Sequence, residues 1–225
     1  MILNANTVQI LKNFSTINES LVINGGAILK TMAPSKYIIA KANIDQQFPC
    51  TISIRDLSNF LSVVSMYDGA DIEFNNNHCI IHNKQRDAAI RYFYCDPINV
   101  TKPPAKDLVF PSPIVKFNVS NDTLKECLKA LAVLGLPNIS FNGDGENLYI
   151  QAVDSKNISS NSYKKVIGTT EQTFSAIFKI ENIKLLPKDY IIEISSPRSH
   201  GSVGAAHFIS DNIEYWILVE ENSKF

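Results

Sequence analysis

How this chain folds is decided by residues 4–26, NANTVQILKNFSTINESLVINGG. Its apolar residues Val8, Leu11 and Phe14 recur every three residues, a spacing that places them along one side of a helix. The Asn-Gly-Gly at 24–26 lies between two apolar runs and predicts a β-hairpin. Residues 121–143 repeat this plan, again with a helical pattern followed by an Asn-Gly between apolar runs. The repeat predicts two similar domains.

Length and composition allow this arrangement without requiring it. The chain has 225 residues, 45% of them hydrophobic, which is enough for a buried core in one large domain or two ordinary ones. Its formal net charge is -1, so any nucleic-acid role must come from how charge is distributed. The four cysteines form no CxxC pair, and the N-terminal sequence carries no export signal, so we expect reduced thiols in the cytosol. No apolar run approaches the roughly 20 residues of a membrane span.

Each half of the chain combines helical and strand patterns. Helices are predicted at 4–15, 55–67, 120–134 and 179–188, and strands at the short β-branched segments between them. We therefore predict an α+β fold in which each domain places two helices on one side of a mostly antiparallel sheet. Five prolines between residues 96 and 113 indicate an extended connector, which divides the chain into domains 1–107 and 108–225. The last residues, ENSKF, are expected to form a loose tail.

Two predicted edge strands could join one chain to another. RYFY, residues 91–94, ends the first half, and YKKVIG, residues 163–168, lies in the second. Exposed strand edges pair readily with a second chain. Pairing between two different edges is head-to-tail, and such contacts can close into a ring.

Basic residues outnumber acidic ones on the predicted helices. The basic set is Lys12, Arg55, Lys125, Lys129, Lys179, Lys184 and Lys188, and the acidic set is Asp56, Asp122, Glu126 and Glu181. The helices thus carry +3 and the remainder of the chain -4, with Asp56 and Asp122 expected to cap helices. A modest positive layer suits loose contact with phosphates, although lysines on a helix are more often only solubilising.

Several motifs, in order and at matching spacing, resemble the DNA polymerase sliding clamps of T-even-type bacteriophages. They are ILKNFSTIN (10–18), DLSNFL (56–61) with the serine of the following VVS, NIKLLP (182–187), GAAHF (204–208) and YWILVE (215–220). The resemblance extends from Leu3 to Phe225 and includes the proline-rich connector. It implies the DNA clamp fold and a homotrimeric ring of six similar domains, with helices lining a hole that admits duplex DNA.

The resemblance also implies which residues face the DNA. Lys12, Lys129 and Lys184 match basic positions of the family's inner surface. This sequence departs from the family at Ala132, where a further basic residue can occur, and it adds Lys125 and Arg55. The expected DNA-facing set is Lys12, Arg55, Lys125, Lys129 and Lys184.

Contacts with proteins follow from the same resemblance. Tyr92, with Phe93, matches the aromatic interface position at the end of the first domain, and Lys165, Val166 and Ile167 lie on the strand expected opposite it. Leu108, Val109 and Phe110 are expected at the rim of an apolar pocket that holds the tail of the DNA polymerase. An ATP-driven clamp loader is the other expected partner. The chain itself is expected to be a non-enzymatic processivity factor without cofactor or metal, acting in viral DNA replication in the cytoplasm of the infected host.

Other chemistry has weaker support in the sequence. His78, Cys79 and His82 could suggest a metal site, but on a strand Cys79 faces away from the two histidines. Cys50 and Cys127 lie in apolar contexts typical of structural thiols. SHGSVG, residues 199–204, lacks the ending of a phosphate loop and is interpreted as a turn. The aromatic side chains of Tyr215 and Trp216 are expected to pack rather than stack on bases.

Two alternatives to the clamp stay open. One is an oligomeric α+β scaffold or binding module that does not act on DNA, and the other is an enzyme with an unrecognised site. Mutation of the basic set separates the first from a clamp, and turnover by the purified chain would reveal the second.

Overall fold

A computed structural model describes residues 1–106, 108–157, 159–196 and 204–225. The chain divides into two compact units, Met1–Lys106 and Asp107–Phe225. Both combine helix with antiparallel sheet, so the predicted α+β class is confirmed.

The first unit contains two helices and seven strands. In chain order they are α1 (Ala5–Ile17), β1 (Leu21–Ile23), β2 (Gly26–Met32), β3 (Ile38–Phe48), β4 (Ile52–Ile54), α2 (Leu57–Val64), β5 (Asp71–Phe74), β6 (His78–His82) and β7 (Ala89–Phe93). Antiparallel pairs join β1 to β4 and β2 to β3, and a third sheet has the order β5-β6-β7.

The second unit contains one helix and eight strands in its described part. They are β8 (Val115–Val119), α3 (Asn121–Leu134), β9 (Asn138–Asp144), β10 (Asn147–Val153), β11 (Tyr163–Thr169), β12 (Thr173–Lys179), β13 (Tyr190–Ser195), β14 (Ala205–Ile209) and β15 (Ile213–Leu218). One sheet has the order β11-β10-β9-β12, and β15, β14, β13 and β8 follow one another in the second.

Local sequence explains where the helices begin and end. The side chain of Asn4 accepts a hydrogen bond from the Thr7 N–H at 2.8 Å and so caps α1. Asp56 caps α2 as predicted, whereas Ser120, not Asp122, caps α3. α3 ends at Gly135, whose φ of 64° suits a residue without a Cβ.

Buried aromatic rings fill the core of the second unit. Phe141, Phe178 and Phe208 lie with their ring centroids 6.1–6.2 Å apart, and Tyr190 packs against Phe208. In the first unit the predicted apolar side of α1 is buried, including Leu11 and Phe14. The helical spacing of apolar residues in 4–26 therefore identifies the side of α1 that packs into the core of this unit.

The Asn-Gly-Gly at 24–26 does not form the predicted hairpin. β1 pairs with β4, and β2 pairs with β3, so the chain changes partner at Gly26, whose φ is 109°. The corresponding hairpin in the second unit does form, because β9 and β10 pair directly. Its turn follows Asp144, and the Asn142-Gly143 that predicted it lies within β9.

The predicted helix at 179–188 is wrong. Only a short 3₁₀ turn forms, at Ile180–Asn182. Pro187 disfavours a helical conformation for Leu186, and two tyrosines replace the helical hydrogen bonds there. The Tyr190 hydroxyl donates to the Leu186 carbonyl at 2.7 Å, and the Leu186 N–H donates to the Tyr215 hydroxyl at 3.2 Å.

The C-terminal residues are not a loose tail. Lys224 and Ser175 exchange two backbone hydrogen bonds of 2.8 and 2.9 Å, and the Ile177 N–H donates to the Ser223 hydroxyl. The end of the described chain therefore adds to the edge of β12.

Candidate nucleic-acid interface

Three of the five predicted DNA-facing residues lie on helices and are exposed. Lys12 projects from α1 on the side opposite the buried Leu11 and Phe14. Lys125 and Lys129 are one turn apart on α3, opposite the buried Cys127. Their ammonium groups are thus presented to solvent, where they can meet phosphates.

The other two predicted DNA-facing residues, Arg55 and Lys184, lie outside the helices. Arg55 is exposed just before α2, next to its capping residue Asp56. Lys184 lies after the 3₁₀ turn and is half-buried, with interactions of its own. Helical periodicity could not predict that Lys184 is half-buried, because the helix expected there does not form.

The positive charge on the helices is smaller than predicted. Within the described ranges, α1, α2 and α3 carry Lys12, Lys125 and Lys129 against Asp122 and Glu126, a net charge of +1 rather than +3. Lys179 lies at the end of β12, and Lys188 lies outside the helices and strands. The positive layer is therefore sparse, and flanking residues such as Arg55 add to it.

Glu126 on α3 turns towards the sheet and binds Lys165 of β11. The hydrogen bond from Lys165, aided by Tyr163, holds the pKa of the Glu126 carboxyl below its usual range. This ion pair neutralises Glu126 on the helix that carries Lys125 and Lys129. It also fixes Lys165, one of the five predicted interface residues, against α3.

The edge strand β7 presents one aromatic residue outward and one inward. Tyr92 packs edge-on against Phe60, with ring centroids 5.2 Å apart, and its hydroxyl donates to the Asp56 carbonyl at 3.3 Å. Phe93 is 61% exposed, and its ring packs against the ring of His78. Of the two predicted interface aromatics, Phe93 is therefore the one available to another chain.

The edge strand β11 is held on both faces. The pairing of β11 with β10 shifts register at the half-buried Ile167. The neighbouring Val166 is 56% exposed. On this face the Lys164 ammonium lies 3.5 Å from the centre of the Tyr149 ring. The Tyr149 hydroxyl donates to Asp144 and, with backbone N–H groups of the turn, lowers the pKa of that carboxyl to about 2.

The predicted pocket residues lie on the connector and differ in exposure. Val109 is 93% exposed and Leu108 is also exposed, whereas Phe110 packs on His207 with ring centroids 5.4 Å apart. His207 in turn stacks on Trp216 at 4.6 Å, with the rings nearly parallel. Phe110 thus belongs to an aromatic cluster on the sheet of the second unit.

Charged residues surround this aromatic cluster, and no pattern in the sequence indicates them. His207 contacts Glu214 at 2.9 Å and Glu193 at 3.7 Å, and Lys116 bonds Glu193 at 2.8 Å. The four lie on adjacent strands, so only the strand register brings them together. The indole N–H of Trp216 is buried and finds no acceptor among the residues that the structure describes.

Two of the four thiols are buried. Burial raises the pKa of the Cys79 thiol to about 11 and that of Cys127 to about 12, so neither is a thiolate at neutral pH. No group of three His, Cys, Asp or Glu within the described ranges could hold a metal ion. All but the last residue of SHGSVG lies outside those ranges. In the same part of the chain, no helix is long and apolar enough to cross a membrane.

Known proteins resemble this chain in sequence and in fold. Residues 4–94 match the family model described as DNA polymerase processivity factor. A sliding clamp of Vibrio phage KVP40 is 27% identical over 227 residues, covering 98% of this chain and 99% of that protein. A sliding clamp of Enterobacteria phage T4 is also 27% identical, covering 99% and 98%. Over nearly its full length, the chain is similar to these phage sliding clamps.

The fold of this chain is shared well beyond phages. A crystal structure of the Helicobacter pylori beta clamp bound to a DNA ligase peptide superposes with a TM-score of 0.70 at 11% identity. The match covers 97% of this chain but only 64% of the bacterial chain. At this identity the likeness concerns the fold alone, and it confirms the predicted DNA clamp fold.

Proposed function

We propose that this sliding clamp encircles duplex DNA and tethers the replicative DNA polymerase, which makes synthesis processive. The observation that carries the proposal is the match to phage sliding clamps over nearly the full length of both chains. In this function the protein performs no chemistry and needs no cofactor. It acts by keeping polymerase and template together in the cytoplasm of the infected host cell.

The proposed mechanism is topological. Three chains form a closed ring around the duplex, and release requires opening of the ring rather than dissociation from phosphates. Sparse, exposed lysines such as Lys12 and Lys129 suit this role, because each phosphate contact is weak and independent of base sequence. Dense arginine clusters would hold the ring at one place and oppose sliding. A separate ATP-driven loader opens the ring.

The lysines provide the first test. Replacement of Lys12, Lys129 and Lys184 by Gln removes three of the proposed phosphate contacts, and we expect shorter polymerase run lengths on primed DNA. Replacement of the non-helical Lys84, Lys106 and Lys156 by Gln changes the net charge equally and serves as the matched control. Equal run lengths for the two triple variants would contradict the proposed DNA-facing set.

We place the subunit interface between β7 of one chain and β11 of the next. β7 offers Phe93 with Tyr92 behind it, and β11 offers Lys165, Val166 and Ile167. Both are edge strands of their sheets. In the described part of the chain, no strand pairs with their outer edge, which leaves that edge available to a second chain. Because the two edges differ, the contact is head-to-tail and can close into a ring.

We place the polymerase contact at the connector, on Leu108, Val109 and Phe110. The exposed Leu108 and Val109 would cover an apolar tail of the polymerase. Replacement of Val109 by Glu should weaken capture of the polymerase without changing the mass of the clamp. The exposed Ile98, replaced by Glu, is the control. Loss of capture by both variants alike would refute this placement.

A further inference from the structure

The two strand edges assigned to the proposed subunit interface both carry positive charge. β7 contains Arg91, which is exposed, and β11 contains Lys164 and Lys165. Neither strand contains an acidic residue. Pairing of the two edges brings these three cations together, and like charges on neighbouring strands oppose pairing. The proposed interface therefore needs a negative charge from outside its two strands.

A carboxylate on α3 supplies such a charge to Lys165. The Lys165 ammonium donates a hydrogen bond to Oε2 of Glu126, and the two side chains remain 39% and 53% exposed. This hydrogen bond is the main reason why the pKa of the Glu126 carboxyl lies below its usual range. Glu126 is consequently ionised at neutral pH and cancels the charge of Lys165.

Lys164 lies on the other face of β11, because successive side chains of a strand alternate. Its ammonium lies 3.5 Å from the centre of the Tyr149 ring, a contact that attracts the cation without neutralising it. Lys164 is also exposed. Of the two lysines, Lys165 is thus the one in direct contact with a carboxylate in the described part of the chain.

We infer that Glu126 is a positioning residue for ring closure, because it compensates Lys165 on β11 and so lets that edge accept the positive β7 edge of the next subunit. Glu126 acts through Lys165, whose ammonium it holds against α3. The inference rests on the proposed ring and adds to it a residue that lies on neither of the paired strands.

The test measures assembly of the full-length chain, trace-labelled with a fluorophore, by sedimentation velocity over a range of concentrations. Glu126→Gln leaves Lys165 uncompensated. We expect each interface to weaken roughly threefold to fivefold, so that the midpoint concentration of trimer dissociation rises about fivefold to tenfold, because three interfaces change together. Asp122→Asn makes the same change of charge on the same helix. It is the matched control and should leave the midpoint unchanged.

Two further readouts separate charge compensation from a role of Glu126 in packing. Salt screens repulsion between the edges, so the difference between Glu126→Gln and the unaltered chain should narrow from ~50 mM to ~500 mM NaCl. Removal of the uncompensated cation should also restore assembly. The double variant Glu126→Gln with Lys165→Gln should therefore return to within about twofold of the unaltered chain, whereas a packing role predicts a double variant as weak as the single one.

The failure of this inference differs from failure of the ring. If the unaltered chain forms trimers, the inference is overturned by a Glu126→Gln protein that assembles equally well, by an equal loss in Asp122→Asn, by a difference that salt does not narrow, or by a double variant as weak as Glu126→Gln. An unaltered chain that stays monomeric at high concentration would instead reject the proposed ring, and the inference with it.

Discussion

At the scale of single residues, the neighbours of a charged group decide what it can do. Lys12 and Lys165 are both lysines of this chain, yet Lys12 is exposed on α1 and Lys165 is bound to Glu126. The sequence could predict the exposure of Lys12, because helical periodicity places it on the solvent-exposed side of α1. It could not predict the Glu126–Lys165 pair, since 39 residues separate the partners.

Asp144 provides a test of such a neighbour effect. Its pKa of about 2 lies below the ordinary 3.8 chiefly because the Tyr149 hydroxyl donates to the carboxylate. A lowered pKa stabilises the fold at pH values above 3.8, and this contribution is lost as the pH falls towards 2. Tyr149→Phe should therefore raise the Asp144 pKa towards 3.8, measured by carboxyl ¹³C NMR titration. Tyr67→Phe is the control, and an unchanged Asp144 midpoint in Tyr149→Phe would refute the assigned cause.

Asn18 provides a second test at this scale. Asn18→Asp replaces the donating amide by a carboxylate, which cannot bond the Met32 and Thr101 carbonyls. Leaving such buried acceptors unpaired should lower the free energy of unfolding by about 1–3 kcal/mol. Urea unfolding measures the change, with the exposed Asn76→Asp as control. Equal stability of the two variants would show that the Asn18 amide does not hold the connector.

At the scale of elements, local signals determined some structures and long-range pairing determined others. Capping by Asp56 and the helix predicted at 120–134 followed from sequence, because each depends on nearby residues. The hairpin predicted at Asn-Gly-Gly was wrong, because β1 pairs with the distant β4 instead of β2. Likewise, the helix predicted at 179–188 does not form, because Leu186 makes hydrogen bonds with Tyr190 and Tyr215 instead.

Gly143 shows how closely two elements approach. A Cβ at this position would overlap the Gln172 carbonyl oxygen and lie 2.8 Å from the Phe174 ring. Gly143→Ala should therefore destabilise the second unit by about 1–3 kcal/mol, as overpacking does. At Gly168 the nearest atom lies at 3.9 Å, so Gly168→Ala is the matched control. Thermal unfolding compares them, and a Gly143→Ala protein as stable as the control would contradict the close approach of β9 and β12.

At the scale of the whole molecule, the repeat in the sequence was the most informative signal. The helix-and-turn pattern at 4–26 and again at 121–143 predicted two domains of α+β build, and order and spacing of motifs predicted the family. The charged cluster around His207 remained hidden, because it forms only when four strands align. Contacts between chains lie at the same scale, and they depend on surfaces that local patterns do not describe.

Assembly is the property to measure at this scale. Light scattering of the unaltered chain should give a mass of three subunits. Phe93→Glu places a charge on the exposed aromatic of β7 and should shift the mass towards one subunit. Ile98→Glu, at a residue that is 81% exposed but outside β7, should remain at three. A clean monomer for the unaltered chain at high concentration would argue strongly against the ring.

The two buried thiols have a practical consequence for testing the proposed movement on DNA by fluorescence. Maleimide dyes react with thiolates, which Cys79 and Cys127 do not form at neutral pH. Only Cys50 and Cys95 are partly accessible. Replacing those two with serine should leave a background silent to labelling, onto which a single fluorophore can be attached at a chosen surface position.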